Sequence, residues 1–214
     1  MKKLTFYRFH AVEVTTLDKK EISSRTQFNF SNLDLYNKRN FFQFNGNSQG
    51  WDREYQGKKL VGYSSGQMFD VVADVGSYQN FLPFCKKSHV TFRSATNIKA
   101  DLMIGFPPLV ESYTSNISLV KPQLIKAVCS EGKLFNYLLT TWKFSPGLKN
   151  SEKTSIIDFY VSFKFKSALH SHLANIFFNE LVWQMENAFY QEAQRRYGEP
   201  IVKMQTLNVF KRNS

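Results

Sequence analysis

Leu169 to Tyr197 reads LHSHLANIFFNELVWQMENAFYQEAQRRY and is followed by Gly198-Glu199-Pro200. This stretch decides the fold. Wound at 3.6 residues per turn, it places Ala174, Phe178, Leu181, Val182, Met185, Phe189 and Ala193 within one arc of roughly 120°. Asn179, Glu180 and Glu186 lie away from that arc. Gly198 ends the helix as a left-handed cap, and Pro200 cannot continue the ladder. Immediately upstream, Ile157, Phe159, Val161, Phe163 and Phe165 alternate with Asp158, Tyr160, Ser162, Lys164 and Lys166, the period of a strand. So long a helix with one wide apolar stripe needs a broad, concave apolar surface to lie in.

The chain before it can supply that surface. Lys59–Tyr63 reads as a short strand, and Ser64 with Gln67 has capping-box spacing for a helix carrying Met68, Val71, Val72 and Val75. A second short apolar segment, Tyr78 to Phe84, follows. From Lys86 the period becomes two, giving strands at Ser88–Ser94, Ile98–Phe106, Glu111–Val120, Leu124–Glu131, Leu134–Phe144 and Thr154–Ser167. Turn residues sit between them, and such short connections imply antiparallel neighbours. The class is α+β: a curved antiparallel sheet wrapped round a long C-terminal helix, with two short helices after the first strand. Pro107 and Pro108 cannot donate to a ladder and belong at an edge or bulge beside an opening. Residues 55–200 form the domain, 1–54 a leader or linker, and 201–214 a basic C-terminal tail.

A chain of 214 residues, 43% hydrophobic with 21 Phe, can bury a substantial core and is not a disordered protein. No stretch approaches 18 unbroken apolar residues. The net charge of +11 points to an anionic partner, nucleic acid or an acidic membrane surface, unless it reflects only a basic compartment. Cys85 and Cys129 fall in different strands and form no zinc pattern. Lys2, Lys3, Arg8, Lys19, Lys20 and Arg25 suit an organelle transit peptide, whereas Glu13, Asp18 and Glu21 do not. An ordered appendage packed on the domain is the other reading.

Catalytic chemistry is thin. Gly62-Tyr63-Ser64-Ser65-Gly66 matches G-x-S-x-G, with Asp158 and His170 or His172 following in hydrolase order. That fold needs a parallel sheet with alternating helices, and the middle of this chain has strands alone. His170 and His172 lack a third ligand at suitable spacing, so no metal site is expected. There is no P-loop and no dinucleotide fingerprint. What stands out is an apolar inner face: Leu102, Ile104, Phe106, Tyr113, Ile117 and Val128, then Phe135, Trp142, Phe144, Phe159, Val161 and Phe163. These residues form either a solid core or the lining of a slot between sheet and helix.

Several ordered blocks carry a resemblance. They include Tyr63-Ser64 with Gln67–Val72, Phe81-Leu82-Pro83-Phe84-Cys85-Lys86-Lys87-Ser88, Gly105-Phe106-Pro107-Pro108, Glu111–Ser115, Gly132–Asn136, Trp142–Gly147 and Ser167–Ala174. Together they make the segment from Tyr63 to Gly198 resemble the coenzyme Q-binding START-like family, within the superfamily of polyketide cyclases and lipid-transfer domains. The resemblance implies a helix-grip fold and a mitochondrial protein on the matrix face of the inner membrane. It also implies a tunnel for ubiquinone or a related polyprenyl lipid, a bound ligand and no catalytic cofactor, and support of respiration and ubiquinone biosynthesis without catalysis.

On that expectation the lipid-binding residues are Leu102, Ile104, Phe106, Phe159, Val161 and Phe163 on the sheet, with Val182 on the helix. Phe178, Leu181, Met185 and Phe189 form the tunnel floor, and Tyr113 and Trp142 meet the head group. Two apolar lips would touch the membrane: Phe81, Leu82 and Phe84, followed by Lys86 and Lys87, and the Pro107-Pro108 segment. Partners would be the lipid, the anionic inner-membrane surface and proteins of ubiquinone biosynthesis or respiration, not nucleic acid. Two other readings stay open: a nucleic-acid- or ribosome-associated binder, and a small cyclase or hydrolase using the same cavity. A second helix line, Ile176, Trp183, Tyr190 and Tyr197, is either covered by the amino-terminal segment or a seam for a partner.

Overall fold

The computed structural model describes residues 52–106 and 109–213, so the 1–54 leader lies almost wholly outside the described residues, as do Pro107 and Pro108. Strand β1 (Asp52–Val61) leads through Gly62 and Tyr63 into α1 (Ser65–Ala73), a 3-10 turn (Val75–Ser77) and α2 (Tyr78–Phe81). Six strands follow: β2 (Cys85–Arg93), β3 (Asn97–Phe106), β4 (Leu109–Val120), β5 (Leu124–Gly132), β6 (Phe135–Pro146) and β7 (Ser155–Phe165). Then come the long helix α3 (Ala168–Tyr197) and β8 (Gln205–Asn213). The eight described strands join one antiparallel sheet in the order β2-β3-β4-β5-β6-β7-β1-β8. Residues 201–214, read as a basic tail, thus carry a strand that pairs along β1 from Arg53 to Leu60. The basic side chains there obscured a β pattern that only pairing reveals.

Ser64 accepts the Gln67 backbone N–H at 3.2 Å, and the Gln67 side chain accepts the Ser64 backbone N–H at 2.9 Å. That reciprocal cap fixes the start of α1. Gly62 is required for a different reason: a Cβ there would stand 2.5 Å from the Val202 carbonyl oxygen, where the chain returns toward β8. Gly198, at φ +82°, ends α3 in the left-handed region. Its carbonyl accepts the Tyr63 hydroxyl at 2.9 Å.

Two polar clamps hold the second half of α3. Arg196 reaches Asp74 and Glu192, each at 2.7 Å. Glu186 is buried and takes Lys59 Nζ at 2.7 Å and the Tyr55 hydroxyl at 2.9 Å. From helical periodicity Glu186 belonged off the buried arc. It is buried because β1 brings a cation and a phenol beneath it, a tertiary effect no helical wheel contains. The supposed seam also divides: Tyr190 packs edge-on against Tyr63 at 5.6 Å, while Trp183 and Tyr197 remain exposed. Ile176 has its side chain outside the described residues.

Candidate ligand-binding cavity

The inner face of the sheet has large side chains at its ends and small ones between. Register puts Ile98, Ile117, Ala127, Thr140 and Val161 on one cross-strand row, and Ala100, Ser115 and Cys129 on the next. Aromatic side chains flank these rows. On one side Trp142 lies 4.2 Å, centroid to centroid, from Phe159 and 4.9 Å from Phe189 of α3. On the other Phe135 stacks on Phe165 at 5.1 Å and meets Tyr113 edge-on at 5.4 Å. Trp142 props α3 through Phe189 at one end of the small residues, and the space beside them is not filled.

The result is a cavity of about 200 Å³. Ser115, Ala127 and Thr140 form its wall, and Leu181, Val182, Met185 and Phe189 of α3 close over it. Ile125, Phe159 and Phe189 at the Trp142 end are almost wholly buried, whereas Leu82, Phe84, Cys85, Ile104, Leu181 and Met185 keep part of their surface exposed. These part-exposed residues mark the rim of the cavity.

Of the residues read from sequence as lipid-binding, Leu102, Ile104, Tyr113, Trp142, Phe159, Val161 and Phe163 line the cavity from the sheet. Leu181, Val182, Met185 and Phe189 line it from the helix. The side chains of Phe106 and Phe178 lie outside the described residues. Val128, expected to face inward, is exposed on the outer surface, because β5 turns Ile125, Ala127 and Cys129 inward instead. Both parities of that strand are apolar, and size favoured the wrong one. Phe144 is buried but packs on Phe69 of α1, away from the cavity. Sequence reading missed Val72, Cys85, Ser115, Ile125, Ala127, Leu134, Leu138, Thr140 and Phe165. The small ones among them have no signal of their own, since a slot announces itself by missing volume.

The first expected membrane lip is partly inside. Leu82 and Phe84 line the cavity rim, and Phe81 packs edge-on against Tyr78 at 5.7 Å and Phe189 at 5.4 Å. Lys86 and Lys87 are exposed beside them.

Polar groups in the lining are few. The Tyr78 hydroxyl donates to the Val72 carbonyl at 2.6 Å. Burial raises the Tyr78 and Tyr113 phenols well above the usual range, so both are protonated donors at neutral pH. Burial likewise pushes the Cys85 thiol up to about 11, partly offset by the Lys87 backbone. A thiol so held is a weak nucleophile. The hydrolase constellation does not assemble: Ser64 is occupied as a helix cap, and Asp158 accepts from Gln56 on the other face of β7. Among the described residues no cluster of side chains could hold a metal ion, and no helix is long and apolar enough to cross a membrane.

Comparison with known proteins agrees with this architecture. Over 155 residues the chain is 52% identical to the mitochondrial coenzyme Q-binding protein COQ10 of Drosophila melanogaster, covering 72% of this chain and 64% of that protein. It is 49% identical to the mitochondrial coenzyme Q-binding protein COQ10 homolog B of Xenopus laevis over 71% of this chain and 62% of that one. It therefore spans somewhat less than two thirds of these relatives. A ribosome association toxin, RatA of Vibrio cholerae, is 31% identical over 65% of this chain and 94% of its own. Among solved structures, the ZhuI aromatase/cyclase of Streptomyces sp. R1128 superposes with TM-score 0.59 at 15% identity, over 68% of this chain and 95% of that chain. The helix-grip fold is thereby shared. The model of the family described as polyketide cyclase/dehydrase and lipid transport matches residues 61–190, and the chain belongs to that family.

Proposed function

We propose that this protein binds ubiquinone, or a related polyprenyl lipid, in the cavity between sheet and α3, and acts as a carrier or chaperone rather than an enzyme. The observation that carries the reading is a nearly all-apolar cavity, open on one side, in a chain about half identical to animal proteins named for coenzyme Q binding. Those relatives are named mitochondrial, which supports a mitochondrial site for this chain; the matrix face of the inner membrane is the finer part of the proposal. The function served is respiration and ubiquinone biosynthesis.

Energetics say how such a protein must work. Burying about 1,000 Å² of polyprenyl tail is worth roughly 25 kcal/mol relative to water. The tail starts in a bilayer that is equally apolar, so its transfer is close to neutral. A cavity of about 200 Å³ is moreover ring-sized: an engineered cavity of about 150 Å³ takes up benzene. It suits the quinone head and the beginning of the tail. Selection then rests on the head, with Tyr113 and Trp142 as its first contacts, and exchange requires contact with the membrane. The rim formed by Leu82 and Phe84, with Lys86 and Lys87 beside it, is the docking edge for an anionic surface.

The test is extraction of the purified protein into organic solvent followed by mass spectrometry. A co-purifying quinone in near-stoichiometric amount is the expected result. Bound RNA in its place would favour a ribosome-associated role, and turnover of an added aromatic polyketide would favour a cyclase.

A further inference from the structure

Eight polar or charged side chains among the described residues are buried: Arg53, Lys59, Ser88, Ser115, Thr154, Ser155, Glu186 and Glu192. Seven are accounted for. Lys59 and Glu186 pair with each other, and Glu192 holds Arg195 and Arg196. Ser88, Thr154 and Ser155 donate to the carbonyls of Val75, Ser151 and Tyr63, and Arg53 is engaged as well. Ser115 is the exception. It is 4% exposed, lines the cavity wall, and has no hydrogen-bond partner for its hydroxyl among the described residues.

An unmade hydrogen bond in an apolar interior is costly, so a polar group left this way in a cavity calls for a ligand that completes it. Its setting supports that. Thr114 pairs with Glu131 but Ser115 with Cys129, so β5 inserts residue 130 opposite this step, a bulge of the kind that re-aims side chains beside binding sites. Tyr113, two residues earlier on the same face of β4, also lines the cavity, and its hydroxyl likewise has no hydrogen-bond partner among the described residues. Both residues thus present hydroxyls from the same face of β4, in a lining whose other hydroxyls are those of Tyr78, which is bonded to the Val72 carbonyl, and Thr140. Ser115 lies four residues along β4 from Glu111, whose ladder row carries Ile104 and Cys85 at the rim, a depth of about 13 Å.

We infer that Ser115 is the residue that receives the ligand's ring, its hydroxyl donating to a ring carbonyl oxygen, with Tyr113 as the neighbouring donor. The lipid therefore enters head first and leaves its tail toward the Leu82–Phe84 rim. This rests on the quinone-binding reading and adds the head-group subsite to it. The hydroxyl, not the apolar wall, is what distinguishes a quinone from a hydrocarbon of equal size.

The test uses Ser115→Ala in the full chain and two probes measured by calorimetry in dilute detergent: ubiquinone with two isoprene units, and geranylbenzene, which has a comparable tail and no ring oxygen. The substitution should weaken quinone binding about three- to tenfold and leave geranylbenzene within about twofold. The ligand-free variant should melt no lower than the native protein, since the hydroxyl satisfies nothing within the fold. Unchanged quinone affinity, or an equal loss for both probes, would overturn the assignment while leaving the function reading intact. A melting point lower by about 2–4 °C would also overturn it, by showing a structural role for the hydroxyl. If neither probe binds the native protein, the quinone-binding reading fails and takes the assignment with it.

Discussion

Filling the cavity from its own wall separates a real void from a core that only looks open. Ala127 sits mid-row between Ile117 and Thr140 and faces the space. Ala127→Leu adds three carbons. At about 0.8 kcal/mol per buried methylene they contribute up to about 2.4 kcal/mol, less about 0.5–1 kcal/mol for the rotamer freedom Leu loses. The net is about 1.5–2 kcal/mol of stabilisation, which raises the melting temperature by about 3–8 °C. The three added carbons occupy about 80 Å³, leaving roughly 120 Å³, less than the cavity of about 150 Å³ that takes up unsubstituted benzene. Quinone affinity should therefore fall by about tenfold or more. In a filled interior the sign reverses, because overpacking costs about 1–3 kcal/mol. Thermal melts of the ligand-free protein and calorimetry with the short-chain quinone read both effects. A destabilised variant that still binds quinone would refute the cavity.

Three further outcomes are expected. Glu186→Leu leaves the Lys59 ammonium buried without its partner and should cost about 3–5 kcal/mol in denaturant unfolding; Lys59→Met with Glu186→Leu should recover most of it, and a harmless single substitution would disprove the pairing. Lys86→Gln with Lys87→Gln removes two exposed charges worth about 1 kcal/mol each near an anionic surface, so flotation with cardiolipin vesicles should weaken about thirtyfold at low salt. Undiminished flotation would remove the rim from the membrane interface. The Cys85 thiol, raised to about 11 by burial, holds its proton more tightly in the fold than in the unfolded chain. Its contribution is thus complete below the unfolded value of 9 and is lost as pH rises through about 11. In a Cys129→Ser background, alkylation of Cys85 at pH 8 should run about a hundredfold slower than in denaturant and slow further with quinone bound. Equal rates would contradict its burial at the rim.

The parts of this fold that announce themselves in sequence are those with a period. Ile157 to Phe165 alternate on one strand, and Leu181, Val182, Met185 and Phe189 recur at helical spacing, so sheet, helix and their apposed faces follow. Ser64 and Gln67 mark a helix start by chemistry alone. What periodicity cannot carry is anything set by a neighbour distant in the chain. Glu186 is polar on a helix and is buried only because Lys59 and Tyr55 arrive from β1. Residues 205–213 become a strand because β1 offers an edge. The cavity itself is a difference between facing volumes: Ser115, Ala127 and Thr140 look unremarkable one at a time, and they make a void only when cross-strand register sets them beneath a helix propped up by Trp142. The resemblance to the coenzyme Q-binding family located the slot before register could.

The cavity's size bears on how the proposed lipid ligand would be met. A space of about 200 Å³ cannot enclose a tail of many isoprene units, and since that tail is as content in the bilayer as in the protein, no driving force pulls it out. The head is different. Leaving the interface exposes its oxygens to an apolar wall, and an unmade hydrogen bond there costs about 1–3 kcal/mol, so a wall without donors would reject it. Ser115 and Tyr113 remove that penalty at one depth. On the proposed function, the net charge of +11 and the exposed Lys86 and Lys87 would keep the opening against an anionic surface, where the tail could remain in lipid while the ring changes hosts. Affinity for such a protein should then level off once the first one or two isoprene units are in place, and a continued rise with chain length would mean that the sheet and α3 part further than this cavity requires.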